Sequence, residues 1–474
     1  AILALLSARS TASRKLVSAR NTASVNRAHS AMALFGTDGV RGVAGVDLTA
    51  ELAHDLAVAA AHVLTDRGEF SGHRPIAIIG QDSRESGSYL EAAICRGLTE
   101  AGIDVYRVGV LPTPAVSYLV TARKADIGVM ISASHNPATD NGIKFFARSG
   151  MKLEDSLEAQ IEAVLGERWH RPAGMEMGRE IVDDKAREEY ISFLLSTIEN
   201  RFDGLKIVVD CANGAASFVA PEVLRRAGAE VIAIFAEPNG KNINANCGST
   251  HTDNLIARVK SEKADLGIAH DGDADRVLAI DNEGNVVDGD HILGILASHT
   301  DIPTNTIVGT VMTNLGLIRA LEVRNIQFIA TPVGDRYVLE RMLSEGHMLG
   351  GEQSGHVIMR KFANTGDGIL TALHLVSEIA RSKKTLKELA SFMVRFPQVM
   401  INVSGVSKAK LAENDRVKSA VASAESELGQ SGRVLLRASG TEPLIRVMVE
   451  AESAELAERF ASSLAALVKS ELAL

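Results

Sequence analysis

A chain of 474 residues with 46% hydrophobic content holds enough apolar mass for several cores, and the usual domain size predicts about three or four of them. The formal net charge is −9; residues 1–31 carry five basic residues (Arg9, Arg14, Lys15, Arg20, Arg27) and no acid, so the remainder stands at −14. An acidic body argues against a nucleic-acid surface, and no apolar run approaches the roughly 20 residues that cross a bilayer, which excludes a membrane span. Cys95, Cys211 and Cys247 lie far apart, a spacing that suggests neither a disulfide framework nor a cysteine zinc site and fits a reducing cytoplasm.

In chain order, the Ser-, Ala- and Arg-rich residues 1–31 have the composition of a transit peptide, of a mis-assigned start or of an engineering scar. We take them as a non-native or disordered extension, with Met32 as the native start. The following stretch, Leu34-Phe35-Gly36-Thr37-Asp38-Gly39-Val40-Arg41-Gly42, is too rich in glycine for an element interior and reads as a loop. Within it Arg41 makes either a surface ion pair or a phosphate contact. A helix is expected from Thr49, as its cap, to about Leu64.

An internal repeat follows. Strand-like segments with polar loops recur at 76–84, 205–214 and 306–314, second strands are expected around Val105, Val231 and Phe328, and helical stretches such as 89–101 and 221–228 precede the second strands. Third strands begin with Lys124-Ala125-Asp126-Ile127-Gly128, Lys263-Ala264-Asp265-Leu266-Gly267 and His347-Met348-Leu349-Gly350-Gly351. Each block reads as a βαβ unit, so the loops after the third strands gather at C-terminal sheet edges, where α/β folds bind ligands.

Those loops hold the chemistry. After the first, proline ends the strand at Ser134-His135-Asn136-Pro137, and Ser134 is a candidate nucleophile or phosphate carrier, although the same letters make an ordinary turn. After the second comes Asp271-Gly272-Asp273-Ala274-Asp275-Arg276, whose alternating carboxylates point one way on an extended backbone and suit a divalent cation. An EF-hand would need Gly where Arg276 stands and Glu where Asn282 stands, so three ligands with space for water and phosphate favour Mg²⁺. After the third, Glu352, Ser354 and His356 are placed to hydrogen-bond a sugar; the hydrolase elbow is excluded because Gly355 follows Ser354 directly. A fourth segment, from Phe396-Pro397 onward, reads as strand-helix-strand-helix. It carries Arg437-Ala438-Ser439-Gly440-Thr441, a guanidinium fork with two hydroxyls and open amides that form an anion cradle.

Taken together, Phe-Gly-Thr-Asp-Gly-Val-Arg-Gly, Ile-Ser-Ala-Ser-His-Asn-Pro, Gly-Glu-Gln-Ser-Gly-His and Arg-Ala-Ser-Gly-Thr-Glu-Pro-Leu-Ile-Arg-Val resemble the phosphohexomutase superfamily over residues 32–474. Within it the likeness is to the bacterial phosphoglucosamine mutase family, with Gln353 where glucose and mannose mutases resemble one another in having Met. Ala274 departs from a usual Gly in the metal loop, and Ala138-Thr139 replace bulkier residues.

The resemblance implies an α/β fold of three repeated mixed-sheet α/β domains plus a C-terminal α+β domain around a central cleft. Domains are expected at 32–184 (phosphoserine loop), 185–285 (metal loop), 286–396 (sugar-binding loop) and 397–474 (phosphate-binding). It implies a phosphoserine at Ser134 and Mg²⁺ held by that phosphate with Asp271, Asp273 and Asp275. Arg41, Lys144 and Arg276 would neutralise charge, and either His356 or Lys144 would handle the proton. Glu352 and Ser354 would bind the sugar, and Arg437, Ser439, Gly440 and Thr441 the non-reacting phosphate.

The implied reaction is cytoplasmic interconversion of glucosamine 6-phosphate and glucosamine 1-phosphate through a bound 1,6-bisphosphate, feeding UDP-N-acetylglucosamine and peptidoglycan precursors. A hexosamine phosphate is the expected partner, and a homodimer stays open. Phosphoglucomutase or phosphomannomutase activity is the alternative. A metal-dependent sugar phosphatase would have no use for the distant cradle, and a non-catalytic sensor would not keep every reactive group.

Overall fold

The computed structural model describes residues 34–36, 38–171, 176–299, 305–439 and 443–474, without the side chains of 298 and 299. The extension at 1–31 lies outside the described residues. Among the described residues, eighteen strands form four sheets. The first takes β1 (Val40–Val43), β2 (Ile76–Gln81), β3 (Asp104–Val110), β4 (Ile127–Ile131), β5 (Asp140–Ala147) and β6 (Glu180–Val182) in the order β1-β5-β4-β2-β3-β6. The second takes β7 (Lys206–Asp210), β8 (Glu230–Ile234), β9 (Leu266–His270), β10 (Val277–Asp281) and β11 (Val286–Val287) in the order β11-β10-β9-β7-β8. The third takes β12 (Thr306–Thr310), β13 (Gln327–Thr331), β14 (Leu349–Gly351) and β15 (Val357–Met359) in the order β13-β12-β14-β15.

The repeat is explicit in the pairing. In each sheet one strand (β2, β7 or β12) lies between two parallel partners, and the third strand turns into an antiparallel one, β4 to β5, β9 to β10 and β14 to β15. The chain reverses its direction of progress at the same place each time, so Ser134, Asp271 and Glu352 all emerge beside a switch point. Strands β4 and β9 are buried throughout, in accord with apolar runs covered on both faces.

The fourth unit is α+β, with β16 (Gln398–Ser404), β17 (Gly432–Ala438) and β18 (Leu444–Ala451) in an antiparallel sheet of order β16-β18-β17. This corrects the strand-helix-strand-helix expectation. Strands β17 and β18 pair antiparallel from Gly432 opposite Ala451 to Ala438 opposite Ile445, so the order is strand, helix, strand, strand, helix.

The expected first helix runs Ala50–Asp66, and the Thr49 side chain accepts from the Leu52 amide as its cap. One apolar core joins residues of the first three units, among them Phe202, Ile292 and Leu373, while the fourth keeps its own core around Val447 and Ala461. The first two units are tied by Ser83 Oγ to the Asn213 carbonyl (2.6 Å) and by the Thr113 amide to the Asp273 carbonyl (3.0 Å). The fourth meets the third at fully buried Glu450, which accepts from the Asn314 side chain, the Leu315 amide, Gln398 and Arg433. No described helix is long and apolar enough to cross a membrane.

A buried pair crosses from the helix Ala186–Ser196 to the helix Gly368–Ser382: Tyr190 Oη donates to Asp367 Oδ2 (2.7 Å), and Asp367 Oδ1 caps the second helix at the Leu370 amide. Burial pushes the Asp367 carboxyl up to about 6, against the bonds from Leu370 and Tyr190. A carboxyl raised in the folded state stabilises the fold at low pH and loses that contribution as pH rises through the raised value. Because the tyrosine donor supports the ionised form, Tyr190→Phe should cost about 1 kcal/mol at pH 5 and about 2 to 3 kcal/mol at pH 8. Thermal unfolding of parent and variant at the two pH values measures this; an equal cost at both would contradict it.

Candidate active site

Ser134 follows β4 in the left-handed region, with φ of +50°, which costs a residue with a side chain about 1 to 2 kcal/mol. The surroundings hold it there. Arg84, fully buried, donates Nη2 to the carbonyls of Ser134 (3.0 Å) and Asn136 (2.8 Å) and Nη1 to those of Pro137 and Asp140, while Nε meets Asp82 (2.9 Å). From the second unit, Asn244 Nδ2 reaches the same carbonyls of Ser134 (2.9 Å) and Asn136 (3.0 Å). The Ser134 amide donates to Ser132 Oγ, which itself donates to Asp82. So constrained, the Ser134 hydroxyl donates to Asp271 Oδ2 at 2.5 Å.

Asp271, Asp273 and Asp275 are all buried and offer oxygens that lie within 4.8 Å of one another. Gly272 permits this closeness to the serine loop, since a Cβ there would stand 2.5 Å from the Ser134 carbonyl oxygen. Ala274 has φ of +56°, so the residue replacing a family glycine does sit where glycine would be unstrained. Burial, with the charges of Asp275 and Asp273, pushes Asp271 well above the usual carboxylate range. The buried Oδ1 atoms of Asp273 and Asp275 have no hydrogen-bond partner among the described residues. Hard oxygens at this spacing, two of them orphaned, fit a divalent cation.

Three cations face the triad. Lys144, on β5 and 1% exposed, places Nζ 2.9 Å from Asp273, 3.3 Å from Asp38 and 4.0 Å from Asp275. Arg41 binds Asp38, and its buried Nε has no partner among the described residues. Arg276 contacts His135 through Nη1 (3.2 Å) and lies 3.9 Å from Asp275. Burial, with the charges of Arg276 and Arg41, pulls His135 down to about 4, so it stays neutral beside the serine.

The loop after β14 lies against the metal loop's own strand, with the Val277 amide bonded to the Gly355 carbonyl (3.1 Å). Glu352 accepts from the Gly334 amide (3.0 Å), and Ser354 is exposed beside it. His356 is placed differently from the sugar contact expected of it. Only 3% exposed, it accepts the Gly366 amide at Nε2 (3.0 Å) and turns Nδ1 toward Asp275 (3.6 Å), with Asp335 3.5 Å from Nε2. Both ring nitrogens are thus engaged inside the protein.

Arg437 and Ser439 stand on the fourth unit, apart from this cluster; Gly440 and Thr441 lie outside the described residues. Arg437 pairs directly across the hairpin with Arg446. Burial, then repulsion from Arg446, lowers Arg437 from its usual range, and its Nε has no partner among the described residues. Two like charges directly opposite each other on paired strands repel.

Arg84, Asn244, Asp38 and Arg446 were not singled out from the sequence. Arg84 stands just past β2 at the same sheet edge as the reactive loops, and Arg446 lies within a quoted motif, so both had a positional signal; Asn244 had none. Arg84→Lys, which keeps one charge and loses the fork, should lower unfolding stability by about 2 kcal/mol, and Asn244→Ala by about 1 kcal/mol, because each leaves the carbonyls of Ser134 and Asn136 with one donor fewer. Urea unfolding of parent and variants measures both, and parent-like stability in the two variants would refute the role of these bonds.

Models of the phosphoglucomutase/phosphomannomutase family match in order: domain I at residues 32–169, domain II at 188–284, domain III at 288–396 and the C-terminal domain at 400–467. Phosphoglucosamine mutases from Cutibacterium acnes and Streptomyces avermitilis are 55% identical over 447 residues and 56% over 448, covering 93% of this chain and 99% of each relative. Among solved structures, a phosphoglucomutase/phosphomannomutase family protein from Burkholderia thailandensis superposes with a TM-score of 0.78 at 22% identity, over 92% of this chain and 97% of that one. An N-acetylphosphoglucosamine mutase from Aspergillus fumigatus, in complex with GlcNAc-6P and magnesium, gives 0.66 at 18% identity over 92% and 95%. At those identities the structures speak to the fold, whereas the four domain matches and the full-length relatives speak to descent. The chain belongs to the phosphoglucomutase/phosphomannomutase family.

Proposed function

We propose that this chain interconverts glucosamine 6-phosphate and glucosamine 1-phosphate, with Ser134 as the phosphoryl carrier. The observation that carries the reading is the Ser134 hydroxyl bonded to one of three buried, clustered carboxylates. The substrate is taken from the relatives, which match over nearly their whole length and are named phosphoglucosamine mutase.

In the first half-reaction the phosphoryl group leaves Ser134 Oγ for the 1-hydroxyl of glucosamine 6-phosphate. The P–Oγ bond breaks, a P–O1 bond forms, and the hydroxyl's proton is the one that Oγ regains. We assign it to Lys144, whose ammonium, 2.9 Å from Asp273, gives a proton to Oγ and takes back that of the 1-hydroxyl, while His356 faces Asp275 (3.6 Å) and props it. The 1,6-bisphosphate then turns, its 6-phosphoryl returns to Ser134, and glucosamine 1-phosphate is released. Asp271, Asp273 and Asp275 would hold magnesium, which would supply charge neutralisation for the phosphoryl oxygens. Arg41 and Arg276 bind those oxygens, Glu352 and Ser354 hold the sugar hydroxyls, and Arg437, Ser439, Gly440, Thr441 and Arg446 grip the phosphate that is not reacting.

Peptide mass spectrometry of active protein should find one phosphoryl group, on Ser134, and Ser134→Ala should abolish coupled turnover of glucosamine 6-phosphate. Faster turnover of glucose or mannose 6-phosphate by the parent would replace the substrate assignment with the glucose and mannose alternative. Full activity in Ser134→Ala would end the mechanism.

One cradle serves both half-reactions, so Arg437→Ala should weaken the 6-phosphate and the 1-phosphate substrate alike. Loss of a bidentate charged contact should cost about 2 to 4 kcal/mol in kcat/KM, roughly thirty- to a thousandfold. Steady-state kinetics in both directions test it, and a defect confined to one direction would rule out a shared cradle.

A further inference from the structure

Lys152 lies outside every motif in the sequence and outside the residues assigned to phosphoryl transfer, yet its ammonium joins two units of the fold. Nζ donates to Asp38 Oδ1, on the opening loop of the first unit, and to Asp335 Oδ2 (2.7 Å), the first residue of the helix Asp335–Glu345 in the third. Each carboxylate leads into the site. Asp38 also binds Arg41 and stands 3.3 Å from Lys144, while Asp335 stands 3.5 Å from His356, which faces Asp275.

The pair is sheltered, with side chains 12% and 18% exposed, so solvent screens it less than a surface bridge. Burial opposes the charge on Asp335, and Lys152 overrides it, holding the carboxyl well below its usual range. Further contacts run along the same seam: Arg336 binds Glu158 (3.0 Å) and Asp155, and Asn364 donates to the Ser149 carbonyl (3.0 Å). A cavity of about 330 Å³ beside these polar contacts is lined by Lys152 and Asp335 together with Leu153, Leu339 and Ile358.

We propose that Lys152 and Asp335 form a positioning latch between the first and third units, which keeps the sugar loop at a fixed distance from Ser134 while the bisphosphate turns. This rests on the mutase reading. During the turn the intermediate is covalently attached to nothing, and only the spacing of the cleft walls retains it. An intermediate that escapes carries away the phosphoryl group, leaving Ser134 as a free hydroxyl that needs an external bisphosphate to restart. Lys152 and Asp335 touch no reacting atom in this scheme; they act through Asp38, Arg41 and His356.

The test measures turnover of glucosamine 6-phosphate by phosphorylated full-length protein, with and without added glucosamine 1,6-bisphosphate. Without the additive, Lys152→Met should fall at least about tenfold below the parent, and the additive should bring it back to within about threefold. Lys152→Arg, which keeps the bridging charge, should behave as the parent does. Asp335→Asn should reproduce the Met variant, and the double variant should be no worse than the poorer single, since both remove one interaction. A Met variant that needs no more bisphosphate than the parent overturns the latch. So does a loss that the additive leaves unchanged, which would mark a structural defect. Failure of the parent to turn over glucosamine 6-phosphate at all would instead remove the functional reading, so the two failures are distinguishable.

Discussion

Three carboxylates buried within 4.8 Å of one another set the terms for the rest of this molecule. Taking even one ion out of water costs several kcal/mol, and like charges at this range add to the cost, so the cluster persists only where opposite charge is built around it. The compensating groups come from other units of the chain: Lys144 from β5, Arg41 from the opening loop, and the hydroxyls of Ser134 and Thr113. The second unit's metal loop is therefore electrostatically incomplete without the first. That explains why the two share a core and why the carbonyl of Asp273 is bonded to the amide of Thr113.

The serine side of the junction is governed by backbone strain. A left-handed serine persists only where its surroundings over-determine it, and here two side chains from different units bond the same two carbonyls from either side. The reactive hydroxyl is thereby pre-oriented toward the carboxylates, which is what phosphoryl transfer most requires of a protein. Strain at Ser134 and charge at the triad are two halves of one arrangement, since Gly272 brings the metal loop within reach of the strained carbonyl.

Three copies of one topology have been put to different uses. All three place a loop at the switch point beside the third strand, but one loop presents a hydroxyl, one carboxylates, and one a mixed set that packs onto the second unit's β10. The fourth unit departs from the pattern. Its antiparallel hairpin sets Arg437 directly opposite Arg446, two like charges on paired positions. Its attachment through Glu450, satisfied by four donors, is polar and compact, whereas the first three units share one apolar core.

The sequence by itself determined the elements whose cause is local. Apolar runs ending at Pro137 or at alternating aspartates gave the buried third strands, Thr49 gave a helix cap, and the near-identity of residues 124–128 and 263–267 gave the repeat. It also singled out the loops at 134–137 and 271–276, which the fold brings together where the Ser134 hydroxyl meets Asp271. Only the tertiary structure decided what surrounds them. Arg84 meets Ser134 across 50 positions, Asn244 across 110, and Lys152 meets Asp335 across 183. The extra strand of the fourth unit and the inward turn of His356 belong to the same class. Buried charges and strained backbone are satisfied by whichever groups the fold brings alongside, and no pattern in neighbouring residues records a partner that is near only once the chain has folded.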